Sequence, residues 1–350
     1  MGGGNTARLG RARLDPASEP TVAFRFGSPP VLALPGGSLI RRALAVLLIA
    51  LAALSTSCSI RRMVANGIGN SIANGPDVFG SDEDPELVRD ALPFGLKTME
   101  SLLLTVPKHR GLLLTACKGF TEYAAAFVQM EADRIEPGDY AGATAMRERA
   151  LKLYLRGRDY GLRGLALRNR GIAAQLQLEP VAAASRIGVK DLPMLYWTAA
   201  AWGSAIALGK DRAELLADLP AVRSLIERGL ALDEAYDGGA IHEAMIILEA
   251  LPPAMGGSPE RARSHFVRAV ALSKGLRASP YVTMAQSVSV LTQNRAEFDQ
   301  LLKQALAVDP DKDPTQRLAT LVLQRRARML LERENDLFLD ADTTTTRSHP

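Results

Sequence analysis

The four histidines are the natural candidates for catalysis or metal binding, and their spacing supports neither. His109 lies in the turn-like segment PKHRG, while His242 and His265 fall on different predicted helices. No HExxH or HxxxH pair, GxSxG, Walker A or GxGxxG motif occurs in the sequence. Acidic residues such as Glu243 and Glu249 are expected on solvated helix surfaces. The sequence therefore predicts a protein that is not an enzyme and that holds no cofactor or metal.

The sequence that precedes Cys58 predicts a chemical modification of this residue. Arg41 and Arg42 precede the apolar run ALAVLLIALAAL of residues 43–54, and three small residues separate that run from the cysteine. A basic step, a short apolar stretch and small residues are typical of a secretory signal, and a cysteine directly after them is typical of bacterial lipoproteins. We expect cleavage before Cys58 and acylation of its thiol, although Ser55 stands where such signals usually have Leu.

Two alternatives stay open for this leader. It could be an ordinary secretory signal with an incidental cysteine, or a membrane-spanning anchor, although its apolar run reaches only about 18 Å into a hydrocarbon core of about 30 Å. Residues 1–38 are either an overlong reading frame or a disordered extension. With Cys58 acylated, Cys117 has no disulfide partner, and we expect it to be a small core residue.

A group of aromatic residues is the best candidate for contact with a ligand or a partner. Tyr196, Trp197 and Trp202 fall within one predicted helix and point in three directions. Because one helix face cannot bury all three, we expect at least one to line a concave surface and at least one to pack in the core. Tyr123 and Phe127 are further lining candidates, on a helix whose large residues follow one face.

Three arginines form a second candidate surface. Arg325, Arg326 and Arg328 lie on one late helix in the run QRRAR. They could form a solvated face with ion pairs to neighbouring acids, which usually contributes little energy. The alternative is a patch that binds an anion or a partner protein.

The net charge of +4 comes from the leader and not from the body. Residues 1–57 hold six of the 42 basic residues and two of the 38 acidic ones, which leaves 36 of each sign in the rest of the chain. A neutral body exerts no general attraction on a polyanion, so we predict no nucleic-acid binding. The 47% hydrophobic and 5% aromatic content indicates a folded chain with a core of Leu and Ala, which suits helix packing.

An internal repeat predicts how the helices are arranged. A small residue before large apolar ones recurs as GLAL at 229–232, AVAL at 269–272 and ALAV at 305–308, at spacings of 40 and 36 residues. Such periods are typical of stacked helical hairpins of the tetratricopeptide kind, with accidental Ala and Leu richness as the alternative. We therefore predict an all-α superhelix of tetratricopeptide-like hairpins. The chain divides into an N-terminal extension and signal, a lipidated flexible tether, the helical repeat domain and a disordered tail, at residues 1–57, 58–85, 86–339 and 340–350.

Longer blocks of sequence carry a more specific resemblance. They resemble the T-component lipoproteins of the tripartite ATP-independent periplasmic (TRAP) transporters, the TatT-like family, in order over nearly all of residues 58–339. The blocks are SDEDPELVRDALPFGLKTMESLL at 81–103, GFTEYAAAFVQMEAD at 119–133, LYWTAAAWGSAIAL at 195–208 and LATLVLQRRARMLL at 318–331.

The resemblance implies a function as well as a fold. It implies a ring-like helical body with a central pore or cleft, which is lipid-anchored and faces the periplasm. It further implies docking of a periplasmic solute-binding protein of a TRAP system, association as a homotrimer, and a small, partly apolar ligand in the pore. Ser59 follows the lipid cysteine in place of the aspartate that retains many lipoproteins at the inner membrane, so the outer membrane is favoured.

Two other functions stay open. One is a tetratricopeptide lipoprotein scaffold for outer-membrane or cell-envelope assembly, which would bind assembly proteins in place of a solute receptor. The other is a helical hydrolase that acts on glycans. It would need two catalytic carboxylates about 5–9.5 Å apart in one cleft, and the sequence shows no such pair.

Overall fold

The computed structural model describes the backbone of residues 37–339 and the side chains of residues 41–47 and 60–339. Every regular element in this range is helical, which confirms the predicted all-α class. The predicted tail and the Cys58 side chain lie outside the described part. The α-helices are α1 (Gly37–Asn74), α2 (Pro85–Thr105), α3 (Arg110–Tyr123), α4 (Met130–Ile135), α5 (Tyr140–Ala166), α6 (Ile172–Leu178), α7 (Pro180–Ser185), α8 (Leu192–Leu208), α9 (Ala213–Leu216), α10 (Leu219–Leu232), α11 (Ala240–Glu249), α12 (Pro259–Leu272), α13 (Ser279–Met284), α14 (Arg295–Ala307), α15 (Arg317–Glu332) and α16 (Glu334–Leu337).

The chain forms two units, residues 1–56 and residues 57–350. The described part of the first unit is the beginning of α1. Among the described residues, no helix combines the length and the apolar character that crossing a membrane requires. The account of the fold below concerns the second unit alone.

The segment predicted as a flexible tether begins with helical backbone, which continues to Asn74. Its contacts explain the difference, because Gly69 lets the helix approach the start of α3 closely. A Cβ atom at Gly69 would lie 2.8 Å from Leu112 Cδ1 and 3.0 Å from His109 Nε2. Glycine lowers helix propensity by about 1 kcal/mol, and tertiary packing overrides that cost here.

Helix α2 begins with an Asp-Pro pair. The Asp84 carboxylate accepts hydrogen bonds from the backbone N–H groups of Glu86 and Leu87, at 3.0 and 3.1 Å, and Pro85 occupies the first helical position. Aspartate at the N-cap and proline at the first position are both favoured at a helix start. Downstream in α2, Leu103 and its neighbours at helical spacing are buried against α3.

The longer helices pack against helices that are close to them in the sequence. The main pairs are α2 with α3, α3 with α5, α5 with α8, α8 with α10, α11 with α12 and α14 with α15. A π-helical stretch, Ala124–Gln129, joins α3 to α4, and a second one, Ala285–Ser289, follows α13. Each helix buries its apolar stripe on its neighbours, as one-sided helices must.

A glycine stripe in α5 permits close packing of three helices. Gly157 and Gly161 face α3 and α8, and a Cβ atom at Gly161 would lie 2.9 Å from Thr198 Cβ and 3.0 Å from Cys117 Sγ. Cys117 is fully buried, as expected for a core residue, and burial raises the pKa of its thiol to about 12. Because these glycines have no side chain, the backbone of α5 lies in direct contact with side chains and backbone of α3 and α8.

The two ends of the helical array are in contact. The backbone N–H of Leu318, at the start of α15, donates to the carbonyl of Gly80 at 3.0 Å. The α15 arginines Arg325 and Arg326 pair with Glu86 on α2 and Asp133 on α4, at 2.6 and 2.5 Å. The last long helix therefore lies against the first helices of the array.

The glycine stripe generates a stability prediction. Gly161→Ala forces its methyl group into Thr198 and Cys117, so the free energy of unfolding should fall by about 1–3 kcal/mol, as for other overpacked cores. Gly95→Ala is the matched control, because Gly95 is also within a helix but a Cβ atom there would have no heavy atom within 4 Å. That variant should gain about 0.5–1 kcal/mol. Urea unfolding followed by circular dichroism measures both, and equal effects of the two substitutions would contradict the packing.

Candidate functional site

Three aromatic rings come together on one side of α8. Tyr196 contacts Trp197 edge-on, with ring centroids 5.2 Å apart, and the ring of Tyr236, from the turn before α11, lies tilted at 5.5 Å from Tyr196. Tyr196 and Trp197 are both half-buried. Edge and tilted contacts of this kind are the favoured geometries of aromatic pairs. We call Tyr196, Trp197 and Tyr236 the aromatic group.

Of Tyr196, Trp197 and Trp202, at least one was expected in the core, and Trp202 is the one that lies there. It is 1% exposed, and its indole N–H donates to the Asp218 carboxylate at 3.0 Å. With its polar atom satisfied and its ring enclosed, Trp202 offers no surface to a ligand. Its role as a lining candidate is therefore corrected to a core role.

Tyr123 and Phe127 form a separate pair on the adjoining element. Their ring centroids are 5.9 Å apart, and the Arg149 guanidinium lies 5.7 Å from the Tyr123 centroid. Tyr123 is buried, while Phe127 is partly open. Of these two candidates only Phe127 exposes its ring, and no contact joins the pair to the aromatic group within the described part of the chain.

Lys118 connects the aromatic group to carboxylates. Its ammonium lies 5.8 Å from the Trp197 ring centroid, 3.0 Å from the Asp77 carboxylate and 3.8 Å from Glu122. Burial alone would lower the pKa of Lys118, but the charges of Glu122 and Asp77 outweigh it and raise that pKa. Lys118 therefore stays charged beside the ring, in a cation–π arrangement.

A second ion pair involves Asp237, the residue that follows Tyr236. Arg277 donates to the backbone carbonyl of Asp237 at 2.5 Å and to its carboxylate at 2.6 Å. Asp237 has a φ of +45°, a left-handed conformation that few residues other than glycine adopt. The two hydrogen bonds from Arg277 stabilise Asp237 in this strained conformation next to Tyr236. Strained backbone of this kind is often found at functional sites.

Two carboxyl groups of this region have altered acidity. Burial raises the pKa of Glu122 to about 7, and Lys118 offsets only part of the effect. Burial likewise raises the pKa of Glu243 to about 7. The Glu122 side chain is nevertheless 46% exposed to water. Glu122 therefore reaches water, while the surrounding protein disfavours its charged form.

Sequence reasoning missed most of this cluster. It placed Glu243 and Glu249 on solvated helix surfaces, which is wrong for Glu249, whereas Glu243 is half-buried. Glu249 is 3% exposed and pairs with Arg261 at 2.6 Å. The turn sequence YDGG, which sets Tyr236 and Asp237 beside glycines, is the one local signal that could have marked the region.

The three arginines of α15 do not form a free patch. Arg325 pairs with Glu86 and Arg326 with Asp133, so both arginines are used within the molecule. Arg328 is exposed and makes no ion pair with any of the described residues. Of the two alternatives for this run, the structure favours ion pairs. The acids belong to helices at the N-terminal end of the array, not to helices next to α15 in the sequence.

His242 and His265 meet although they lie on different helices, α11 and α12. Their Nδ1 atoms are 2.8 Å apart, and His242 Nε2 lies 3.3 Å from the Glu234 carboxylate. The carboxylate accepts from Nε2–H, so in the neutral pair His265 donates to His242 Nδ1. Burial lowers the pKa of both rings. Among the residues with described side chains, no set of three or more His, Cys, Asp or Glu is arranged to hold a metal ion.

The family now follows from sequence comparison as well as from the fold. Residues 81–338 match the family model for the TRAP transporter T-component, so the chain belongs to this family. It is also similar to an uncharacterized protein of Treponema pallidum (strain Nichols), with 30% identity over 308 residues. The match covers 82% of this chain and 95% of that relative. The family resemblance found in the sequence is thereby confirmed, and a TRAP transporter component indicates a membrane-associated place in the cell envelope.

The two raised pKa values predict how stability depends on pH. A carboxyl whose pKa is higher in the folded state adds stability below its ordinary pKa of 4.5 and loses that contribution as the pH rises through about 7. Glu122→Gln/Glu243→Gln cannot ionise at these positions. After a discount for the solvent exposure of Glu122, we expect the double variant to exceed the parent by about 1 kcal/mol at pH 8 and to match it near pH 5.

Glu131→Gln is the control for this measurement. The hydrogen bond from Arg134 lowers the pKa of Glu131, so its replacement should bring no gain at pH 8. Urea unfolding of all three proteins at both pH values gives the comparison. A double variant that gains nothing at pH 8, or gains equally at pH 5, would contradict the assignment of the two carboxyls.

Proposed function

We propose that this chain is a lipid-anchored, periplasm-facing scaffold of a TRAP transporter system that docks a periplasmic solute-binding protein. The observation that carries the proposal is family membership over residues 81–338. A transporter component without catalytic machinery works by recognition, and helical arrays offer extended concave surfaces for that purpose. Association as a homotrimer belongs to the same proposal.

The lipid anchor is supported by the sequence of the leader. A basic pair, a short apolar run and small residues precede Cys58. Acyl chains contribute about 0.8 kcal/mol for each buried CH₂ group, so two or three chains hold a soluble body stably on a bilayer. Ser59 favours the outer membrane over the inner membrane as the location of the anchor.

A ligand site in a pore or cleft is supported by the aromatic group. Tyr196 and Trp197 present partly open rings, while Lys118 and the wet Glu122 carboxyl supply polar contacts beside them. An apolar wall with a few charged groups is the usual composition of a small-molecule site. The contact between α15 and the first helices supports a ring-like arrangement around such a site.

Affinity purification tests the proposal against its alternative. The chain with a C-terminal tag is captured from detergent extracts of its own organism after mild cross-linking, and the recovered proteins are identified by mass spectrometry. We expect an extracytoplasmic solute-binding protein of a TRAP system. Recovery of envelope-assembly subunits without such a receptor would overturn the proposal in favour of an assembly scaffold.

A matched pair of variants makes this experiment more specific. Trp197→Ala opens the aromatic group, whereas Trp202→Phe alters a core tryptophan that no ligand reaches. If the concave surface takes part in recognition, Trp197→Ala should lower the recovery of the receptor or of a co-purifying small molecule, and Trp202→Phe should not.

A further inference from the structure

The helical segment that follows Cys58 has two faces of different character. On one face, Ala65 is buried, and Asn70 Oδ1 lies 3.1 Å from His109 Nε2. Gly69, on the same face, packs against Leu112 at the start of α3. Residues four apart lie on one side of a helix, so this side is committed to the body.

The opposite face is apolar and has no partner within the described part of the chain. Ile60, Met63, Val64 and Ile68 recur at helical spacing, and each is 47–66% exposed. At about 100° per residue, Ile60, Met63 and Val64 lie some 100–160° from Ala65, so these side chains point away from α3. Ile68 lies some 60° from Ala65 and forms the edge of the stripe. We call these four residues the outer face.

The charged residues on this stretch of helix are all basic. Arg61 and Arg62 are exposed on the same helical turns; Arg61 borders the outer face beside Ile68, and Arg62 lies on the far side of the helix. The sequence has no acidic residue between Glu19 and Asp77. An exposed apolar stripe with arginines and no acid is the composition of helices that lie in the interface of an anionic bilayer.

We propose that the outer face binds the surface of an anionic lipid bilayer, with its apolar side chains at the boundary between headgroups and acyl chains. The proposal rests on the acylation of Cys58 proposed above, because an acyl chain two residues before Ile60 places the segment at the membrane. The lipid and the outer face are then two signals that act together, and the helix fixes the orientation of the body on the membrane.

A protein partner fits the outer face less well. Stable protein interfaces bury about 1,200–2,000 Å² in total, far more than four side chains on three helical turns supply. The face also lacks the aromatic anchors that dominate protein interfaces. A bilayer requires neither a large patch nor shape complementarity.

Lipid-depth fluorescence tests the proposal on the full chain. The protein is produced in a bacterial host that acylates lipoproteins and is reconstituted into vesicles of phosphatidylethanolamine and phosphatidylglycerol. Val64→Cys carries an environment-sensitive fluorophore, and Phe94→Cys is the control, because Phe94 is 79% exposed on α2. We expect brominated lipids to quench the label at position 64 about twofold or more, and to leave the label at position 94 unchanged.

The labelling reaction separates the failure of this proposal from the failure of the proposed function. Cys117 is fully buried and its pKa is raised to about 12, so it does not react. The parent protein therefore takes up no label when Cys58 is acylated and one label when Cys58 is free. A labelled parent would overturn the acylation and, with it, the basis of this proposal.

Two results, obtained with a parent that takes up no label and binds the vesicles, would overturn the proposal alone. One is equal quenching of positions 64 and 94 by aqueous iodide with no effect of brominated lipids, which would leave the outer face in water. The other is shielding at position 64 that disappears as the protein is diluted in lipid, which would assign the face to a second copy of the chain. Ile68→Cys, on the same face, repeats the measurement with an independent variant.

Discussion

The arrangement of the helical body depends on two carboxylates, Asp133 and Glu136. Arg147 on α5 bridges them, at 2.8 and 2.7 Å, while Arg326 and Arg333 reach them from the C-terminal end of the array, at 2.5 and 3.2 Å. The five side chains are only 15–28% exposed, so solvent and salt screen this closing network less than an open surface pair. Loss of Asp133 would leave the half-buried Arg326 without a carboxylate partner among the described residues, which is the costly way to break such a network.

The closing network gives the candidate site its physical setting. The aromatic group and its carboxyls come from α3, α8, α11 and the loop before α11, and Lys118 also comes from α3, so no single hairpin holds them. A sequence-distant contact between the ends limits how far these helices can separate. The body therefore combines this contact between its ends with a left-handed backbone conformation at Asp237 and with two carboxyls whose pKa burial raises to about 7.

Local sequence patterns predicted the helices. They did not predict ion pairs and contacts between residues that are far apart in the sequence. The one-sided large residues of α3 and the core role of Cys117 follow from neighbours within one or two helical turns, and both are confirmed. The pairing of Arg326 with Asp133, 193 residues apart, has no local signal.

The candidate site shows the same division. That one of the three α8 aromatics lies in the core could be predicted from helical angles, but which one depends on where Asp218 lies. The burial of Glu243 and the meeting of His242 with His265 depend on how α11 packs against its neighbours. The helix that follows Cys58 was equally hard to predict from the local sequence, because it packs at Gly69 against Leu112, a residue more than 40 positions away in the sequence.

Amide hydrogen exchange in α15 tests the closing network most directly. Asp133→Asn/Glu136→Gln removes both acceptors' charges, and Glu131→Gln removes a charge that pairs with Arg134 one turn away. We expect amide exchange in α15 to accelerate about tenfold or more in the double variant and to stay at the parent rate in the control. Exchange in α15 at the parent rate in both variants would contradict the claim that these two carboxylates hold the ends of the array together.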